Sequence, residues 1–227
     1  KSDNVSLLAT LPVGKPIGAR FRDQLMYVTG TEGLEIYDVA RPELPVLTGA
    51  LPLPHFENED VDLGGDILLI SNDPSEGLGF LYVVDISNPR LPKLRGVLQN
   101  GVGDGQAQDL LDIFGVPPVG GLPDTGIGHT ASCVKADCSW AYLAGTSKGI
   151  TIVDLRNPAE PKIAGGFVPD ITGLATHDVQ VDATGIAWIV GAEGTAGYDV
   201  TDPLRPALVA RSDETIKNSG QLGIPSI

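Results

Sequence analysis

Residues 149–167 read GITIVDLRNPAEPKIAGGF, an apolar run that ends in Asp154 and is followed by prolines at 158 and 161. The same spacing occurs four times, in IYDVARPELPVL, VVDISNPRLPKL, IVDLRNPAEPKI and GYDVTDPLRPAL. Each copy places an Asp, a Pro four residues on and a second Pro seven residues on. They are Asp38, Pro42 and Pro45; Asp85, Pro89 and Pro92; Asp154, Pro158 and Pro161; and Asp199, Pro203 and Pro206. The four Asp residues lie 47, 69 and 45 residues apart, so one unit is about 46 residues and the second interval carries an insertion. That period is the length of a four-stranded propeller blade.

Local reading supports the same unit. Upstream of each Asp lies a second apolar run, QLMYVTG, DILLISN, WAYLAG or IAWIVG, and the turn residues TEG, SEG, SKG or AEG separate the two runs as a hairpin requires. Each unit therefore reads as strands a and b, a hairpin, strand c, a proline turn and strand d. The Asp ends strand c by accepting backbone hydrogen bonds from the turn, and the first Pro fixes φ within it. The second Pro enters strand d, an outer edge where a missing N–H is tolerated and unwanted pairing is blocked.

The expected fold is an all-β propeller of four-stranded blades, with complete blades at 14–53, 55–99, 127–168 and 173–213. Residues 100–126 form an inserted loop. The segment 4–13 is similar to a strand d, so it is expected to be the outer strand of a closing blade, and 214–227 reads as a lead-in to an unfinished one. The ring is then incomplete, and either a continuation of the polypeptide or a second chain is expected to finish it.

With 29 Gly and 18 Pro among 227 residues, no window reads as a long amphipathic helix. The formal net charge of -14 repels phosphate backbones and anionic lipid, and no Lys/Arg cluster offsets it, so nucleic acid is not an expected partner. No apolar segment approaches the roughly eighteen residues of a membrane helix, so direct membrane insertion is not expected. The start KSDNVSLLATL has neither an initiator Met nor a signal-peptide layout, which points to a processed or partial product. Cys133 and Cys138 are separated by four residues that form a hairpin turn, and a disulfide across it fits an oxidising compartment. Two thiolates without further ligands make a poor metal site.

The stretches YVVDISNPRLPKL and ITIVDLRNPAEPKI resemble LVIVD-repeat proteins, with the similarity running over residues 5–213 and weakening at GYDVTDP in the fourth copy. The resemblance implies a β-propeller of the secreted or cell-surface kind found in bacteria and archaea, in a family whose biochemical activity is largely undefined.

Three candidate sites emerge. His55, His129 and His177 each precede or open a strand a, the innermost strand of a blade, where converging imidazoles would hold copper or zinc. Aligning Val134 with Val179 places His129 and His177 at different heights, which favours separate structural roles. The first unit carries Arg20 and Arg22 in that place. The acidic run Glu57, Glu59, Asp60, Asp62 and Asp66 offers oxygen ligands for calcium, but no calcium-loop motif accompanies it and a solvated loop is the simpler reading. In the insertion, GQAQDLLDIF reads as one or two helical turns with Leu110, Leu111 and Phe114 on one face, as a lid, a partner contact or a plug. No nucleophile elbow, zinc-protease helix or phosphate-binding loop is present. The expected function is a non-catalytic, protein-binding scaffold outside the cell, and the alternative is a copper- or zinc-dependent propeller enzyme.

Overall fold

The computed structural model describes residues 4–53, 58–75, 78–100, 119–122, 128–145, 149–170, 176–191 and 194–212. These residues form four antiparallel blades and, among them, no helix. Blade 1 is β1 (Pro16–Arg22), β2 (Leu25–Gly30), β3 (Gly33–Asp38) and β4 (Val46–Pro52). Blade 2 is β5 (Asn58–Gly64), β6 (Ile67–Ser75), β7 (Leu78–Asp85) and β8 (Lys93–Asn100), extended by β9 (Val119–Leu122). Blade 3 is β10 (Thr130–Cys133), β11 (Trp140–Ala144), β12 (Ile150–Asp154) and β13 (Lys162–Phe167). Blade 4 is β14 (Thr176–Val181), β15 (Ile186–Gly191), β16 (Gly194–Asp199) and β17 (Ala207–Arg211). The ring is not closed by these blades. Residues 6–13 lie in no sheet, and β9, inside the insertion, pairs parallel to β8 and covers its outer edge. Leu110, Leu111 and Phe114 lie outside the described residues.

The repeated motif has one geometry. Asp38, Asp85, Asp154 and Asp199 each accept, at Oδ1, the backbone N–H two residues on, at 2.8–3.0 Å. The carbonyls of Arg41, Asn88, Asn157 and Asp202 each accept the N–H three residues on, so the first Pro occupies the second position of a β-turn, where its fixed φ fits. The second Pro immediately precedes strand d.

Strand d then carries a bulge the sequence reading did not contain. Against strand c, one extra residue is inserted at Thr48, Arg95, Ala164 and Val209, each ten residues after its Asp. The next residue is Gly49, Gly96, Gly165 or Ala210. A Cβ built on Gly49 would lie 2.1 Å from the Pro89 carbonyl oxygen, and one on Gly96 2.3 Å from that of Pro158. The turns of blades 2 and 3 thus seat their first proline's carbonyl against the glycine of the preceding blade, whereas Gly165 of blade 3 has no such neighbour.

Between blades lie three apolar layers. Tyr27, Ile36 and Leu51 meet Leu68, Ile70 and Val84; Leu69, Leu81 and Val83 meet Ala131, Leu143 and Val153; Tyr142, Ala144 and Ile152 meet Val179, Ile189 and Ala196. Alternation explains this: in β6, Leu68 and Ile70 face blade 1 while Leu69 faces blade 3. Continuous apolar strands such as LYVV and ITIV are therefore buried on both faces. The blade 3–4 layer adds a hydrogen bond from the Tyr142 hydroxyl to the Pro203 carbonyl, at 2.7 Å.

Replacing Gly49 or Gly96 by Val is expected to lower stability by about 2–3 kcal/mol, because the carbonyl facing the new side chain belongs to another blade's backbone and cannot yield cheaply. Equilibrium urea unfolding measures this, with Ala164→Val, on an exposed bulge, as the near-neutral control.

Candidate functional site in the central channel

Strands β1, β5, β10 and β14 are the innermost strands, and they adjoin one another in chain order. Each pairs on one side only, which leaves unpaired backbone donors on its channel edge. Side chains of the neighbouring inner strand meet several of them. Asp62 Oδ2 accepts from the Cys133 amide at 2.8 Å and from the Ser132 hydroxyl at 2.9 Å. Ser132 Oγ accepts the Val181 amide at 3.0 Å, and Thr130 Oγ1 accepts the Val179 amide at 3.1 Å. A short ladder of polar side chains thus runs from blade 2 through blade 3 to blade 4.

Arg20 closes this arrangement from blade 1. Its Nη2 donates to Gln180 Oε1 at 2.7 Å and lies 3.5 Å from Asp60 Oδ1, while its Nε lies 3.6 Å from Asp62 Oδ1. The neighbouring Arg22 donates to the Gly65 carbonyl of blade 2. Burial raises the Asp60 carboxyl to about 6; Arg20 and the Val61 amide pull it down, and Asp178 and Asp62 push it further up.

His129 and His177 come together, with ring centroids 4.1 Å apart in an edge-to-face arrangement. This corrects the difference in height read from the sequence. Strand pairing matches Cys133 with Ala141 and Val181 with Ala187, so Cys133, not Val134, is the counterpart of Val181. The hairpin after Cys133 is two residues longer, and with this pairing His129 and His177 each lie four residues before equivalent positions. Ser71 and Thr130 hold the carbonyls of His129 and His177, at 2.7 and 3.4 Å. His55 and Glu57 lie outside the described residues. Among the described residues, no group of three or more His, Cys, Asp or Glu is gathered to hold a metal ion. Asp62 is engaged by its neighbours, and Asp66 sits in the β5–β6 turn.

Where the inner strands end, a cavity of about 440 Å³ is lined by Asp62, Cys133, Lys135, Val181 and Thr201, among others. The Lys135 ammonium donates to the carbonyls of Val200 and Thr201, at 3.2 and 2.7 Å. Cys133 and Cys138 form a disulfide with Cα atoms 4.7 Å apart, closing the β10–β11 hairpin.

These features define a β-propeller with a polar inner ring. The LVIVD repeat family model matches residues 77–99 and 128–168, so the second and third blades carry LVIVD-type repeats. No curated protein matches the sequence. Among solved structures, a protein from Lactobacillus plantarum is similar at a TM-score of 0.57 and 16% identity, over 86% of this chain and 57% of that one. The periplasmic gluconolactonase PpgL of Pseudomonas aeruginosa is similar at 0.53 and 13%, over 87% and 56%. A candidate 6-phosphogluconolactonase from Bacteroides fragilis is similar at 0.50 and 11%, over 90% and 73%. The chain spans little more than half the length of the first two, and at such identities the likeness establishes the fold alone.

Sequence reasoning did not assign Thr130, Ser132 and Gln180, and it noted Arg20 only as a place without histidine. The signal available was alternation: Arg20 and Arg22, Asp60 and Asp62, Thr130 and Ser132, and Asp178 and Gln180 occupy every second position of four inner strands.

Asp60 also yields a pH prediction. Because folding raises its pKa from 3.8 to about 6, its protonated form favours the fold; that contribution is full below pH 3.8 and is lost as pH rises through 6. Asp60→Asn is expected to be more stable than the parent at pH 8, by on the order of 2 kcal/mol, and about equal to it at pH 4. Urea unfolding across that range reads the difference.

Proposed function

We propose that this protein is an extracellular or cell-surface propeller that acts as a non-catalytic scaffold for another polypeptide, either a separate protein partner or the remainder of a propeller ring. The supporting observation is the contrast between central and flanking blades. Blades 2 and 3 bury both faces, whereas blade 4 leaves Trp188 and Val190 exposed at 40 and 42%, and blade 1 leaves Ile17 and Phe21 at 36 and 66%. On β15 these residues alternate with Ala187 and Ile189, which pack on blade 3, so the exposed pair occupies the face a further sheet would cover. The Cys133–Cys138 disulfide is compatible with an oxidising exterior. A photo-reactive side chain at position 21 or 188, introduced in the native host, is expected to yield polypeptide adducts, with exposed Glu160 as the control position. Absence of adducts at both positions contradicts the scaffold.

The His129–His177 contact favours a second reading, a copper- or zinc-dependent enzyme in which His55 supplies a third imidazole. Copper(II) titration followed by electron paramagnetic resonance separates the two. One tight equivalent with nitrogen hyperfine structure, lost in His129→Ala and in His177→Ala, supports the metal site; weak uptake unchanged by either substitution removes it.

A further inference from the structure

Every other inter-blade hydrogen bond among the inner-strand side chains described above joins consecutive blades, but Arg20 and Gln180 are 160 residues apart and belong to the first and fourth. We infer that Arg20 is a cross-channel clasp: by holding Gln180 on β14 while lying against Asp60 and Asp62 on β5, it sets the spacing between blades 1 and 4.

The geometry requires three inner strands to converge on one guanidinium. Arg20 projects from β1 on the same side as Gly18, which packs against Val61 of β5, so its stem starts on the channel side of the blade 1–2 contact. A guanidinium offers five donors in a rigid fork, suited to several acceptors at once. One Nη1 donor is taken by the Ala19 carbonyl at 3.2 Å, which anchors the fork to its own strand. Nη2 faces Gln180 and Asp60, and Nε faces Asp62. On the far side, Gln180 is steadied by Ser132 Oγ at 3.5 Å, and the amide of the next residue, Val181, donates to that same oxygen at 3.0 Å. The acceptor therefore belongs to the ladder that orders β10 and β14. The carboxylates contribute attraction at 3.5–3.6 Å, whereas the single short bond is the one that crosses the channel.

Strength and position suit a device that yields. The Arg20 side chain is 31% exposed, so water competes for its donors and screens its ion pairs, and the clasp is weaker than a buried pair. Blades 1 and 4 are also the two whose outer faces carry Ile17 and Phe21, and Trp188 and Val190. Releasing Arg20 frees these faces to separate, and holding it fixes the opening between them. The clasp does not depend on what packs against those faces, so its failure and the failure of the scaffold reading are separate results.

The test is a distance measurement on the isolated chain, with no partner present. Spin labels are placed at Glu43→Cys in the blade 1 turn and Leu204→Cys in the blade 4 turn, both exposed positions, in a protein whose two native cysteines are joined in a disulfide. The parent is expected to give one narrow distance distribution by pulsed electron resonance, and Arg20→Leu a longer or clearly broadened one at unchanged circular dichroism. Gln180→Leu, which removes an exposed acceptor and leaves the core intact, is expected to do the same. Hydrogen exchange adds a readout that survives partial unfolding. In Gln180→Leu, protection is expected to fall roughly tenfold in β1 and β14 and to stay unchanged in β6 and β7. Distributions that match the parent in both variants, or protection lost equally in all blades, overturn the clasp.

Discussion

The stacking of the first three blades rests on one close approach, the first proline's carbonyl of one turn lying against the post-bulge glycine of the preceding blade, at Pro89 on Gly49 and Pro158 on Gly96; at the third interface Gly165 has no such neighbour, and the Pro203 carbonyl instead accepts the Tyr142 hydroxyl. The repeated turn is what presents that carbonyl. The Asp draws the chain out of strand c by binding the amide two residues on, and the proline fixes the turn that presents the carbonyl. The bulge then brings the glycine to the surface of strand d. Side-chain burial follows from the stacking, since the apolar layers between blades exist only if successive sheets lie face to face.

The same principle explains the channel. A blade's inner strand has no partner on its free edge, and neighbouring blades supply acceptors from Asp62, Ser132 and Thr130 to the amides of Cys133, Val181 and Val179. Polar side chains in the channel are therefore accounted for largely by the fold, and a functional reading has to rest on what they leave over. What remains is the His129–His177 contact, the cavity at the strand ends and the apolar faces of the flanking blades. The faces are of the kind that another sheet covers.

Much of the fold was legible in the sequence because a repeat multiplies weak signals. One D-x-x-x-P-x-x-P is a turn, whereas four copies, two of their three intervals near 46 residues and the third lengthened by an insertion, are a propeller. The bulge was not legible, because an extra residue at Thr48 or Arg95 leaves no compositional mark and shows only in how strand c pairs with strand d. The site was read less well for the same reason. Aligning Val134 with Val179 ignored the longer hairpin between Cys133 and Trp140, so the two histidines were placed apart. Gln180 was passed over because a lone glutamine on a strand reads as a solvated residue until the tertiary fold brings Arg20 to it.

Native mass spectrometry of the protein purified from its own source tests the scaffold account most directly. The account predicts a mass above the 23.7 kDa of this chain, carried by polypeptide packed on the blade 1 and blade 4 faces, with no stoichiometric metal. A mass equal to this chain plus a single copper or zinc ion would contradict it.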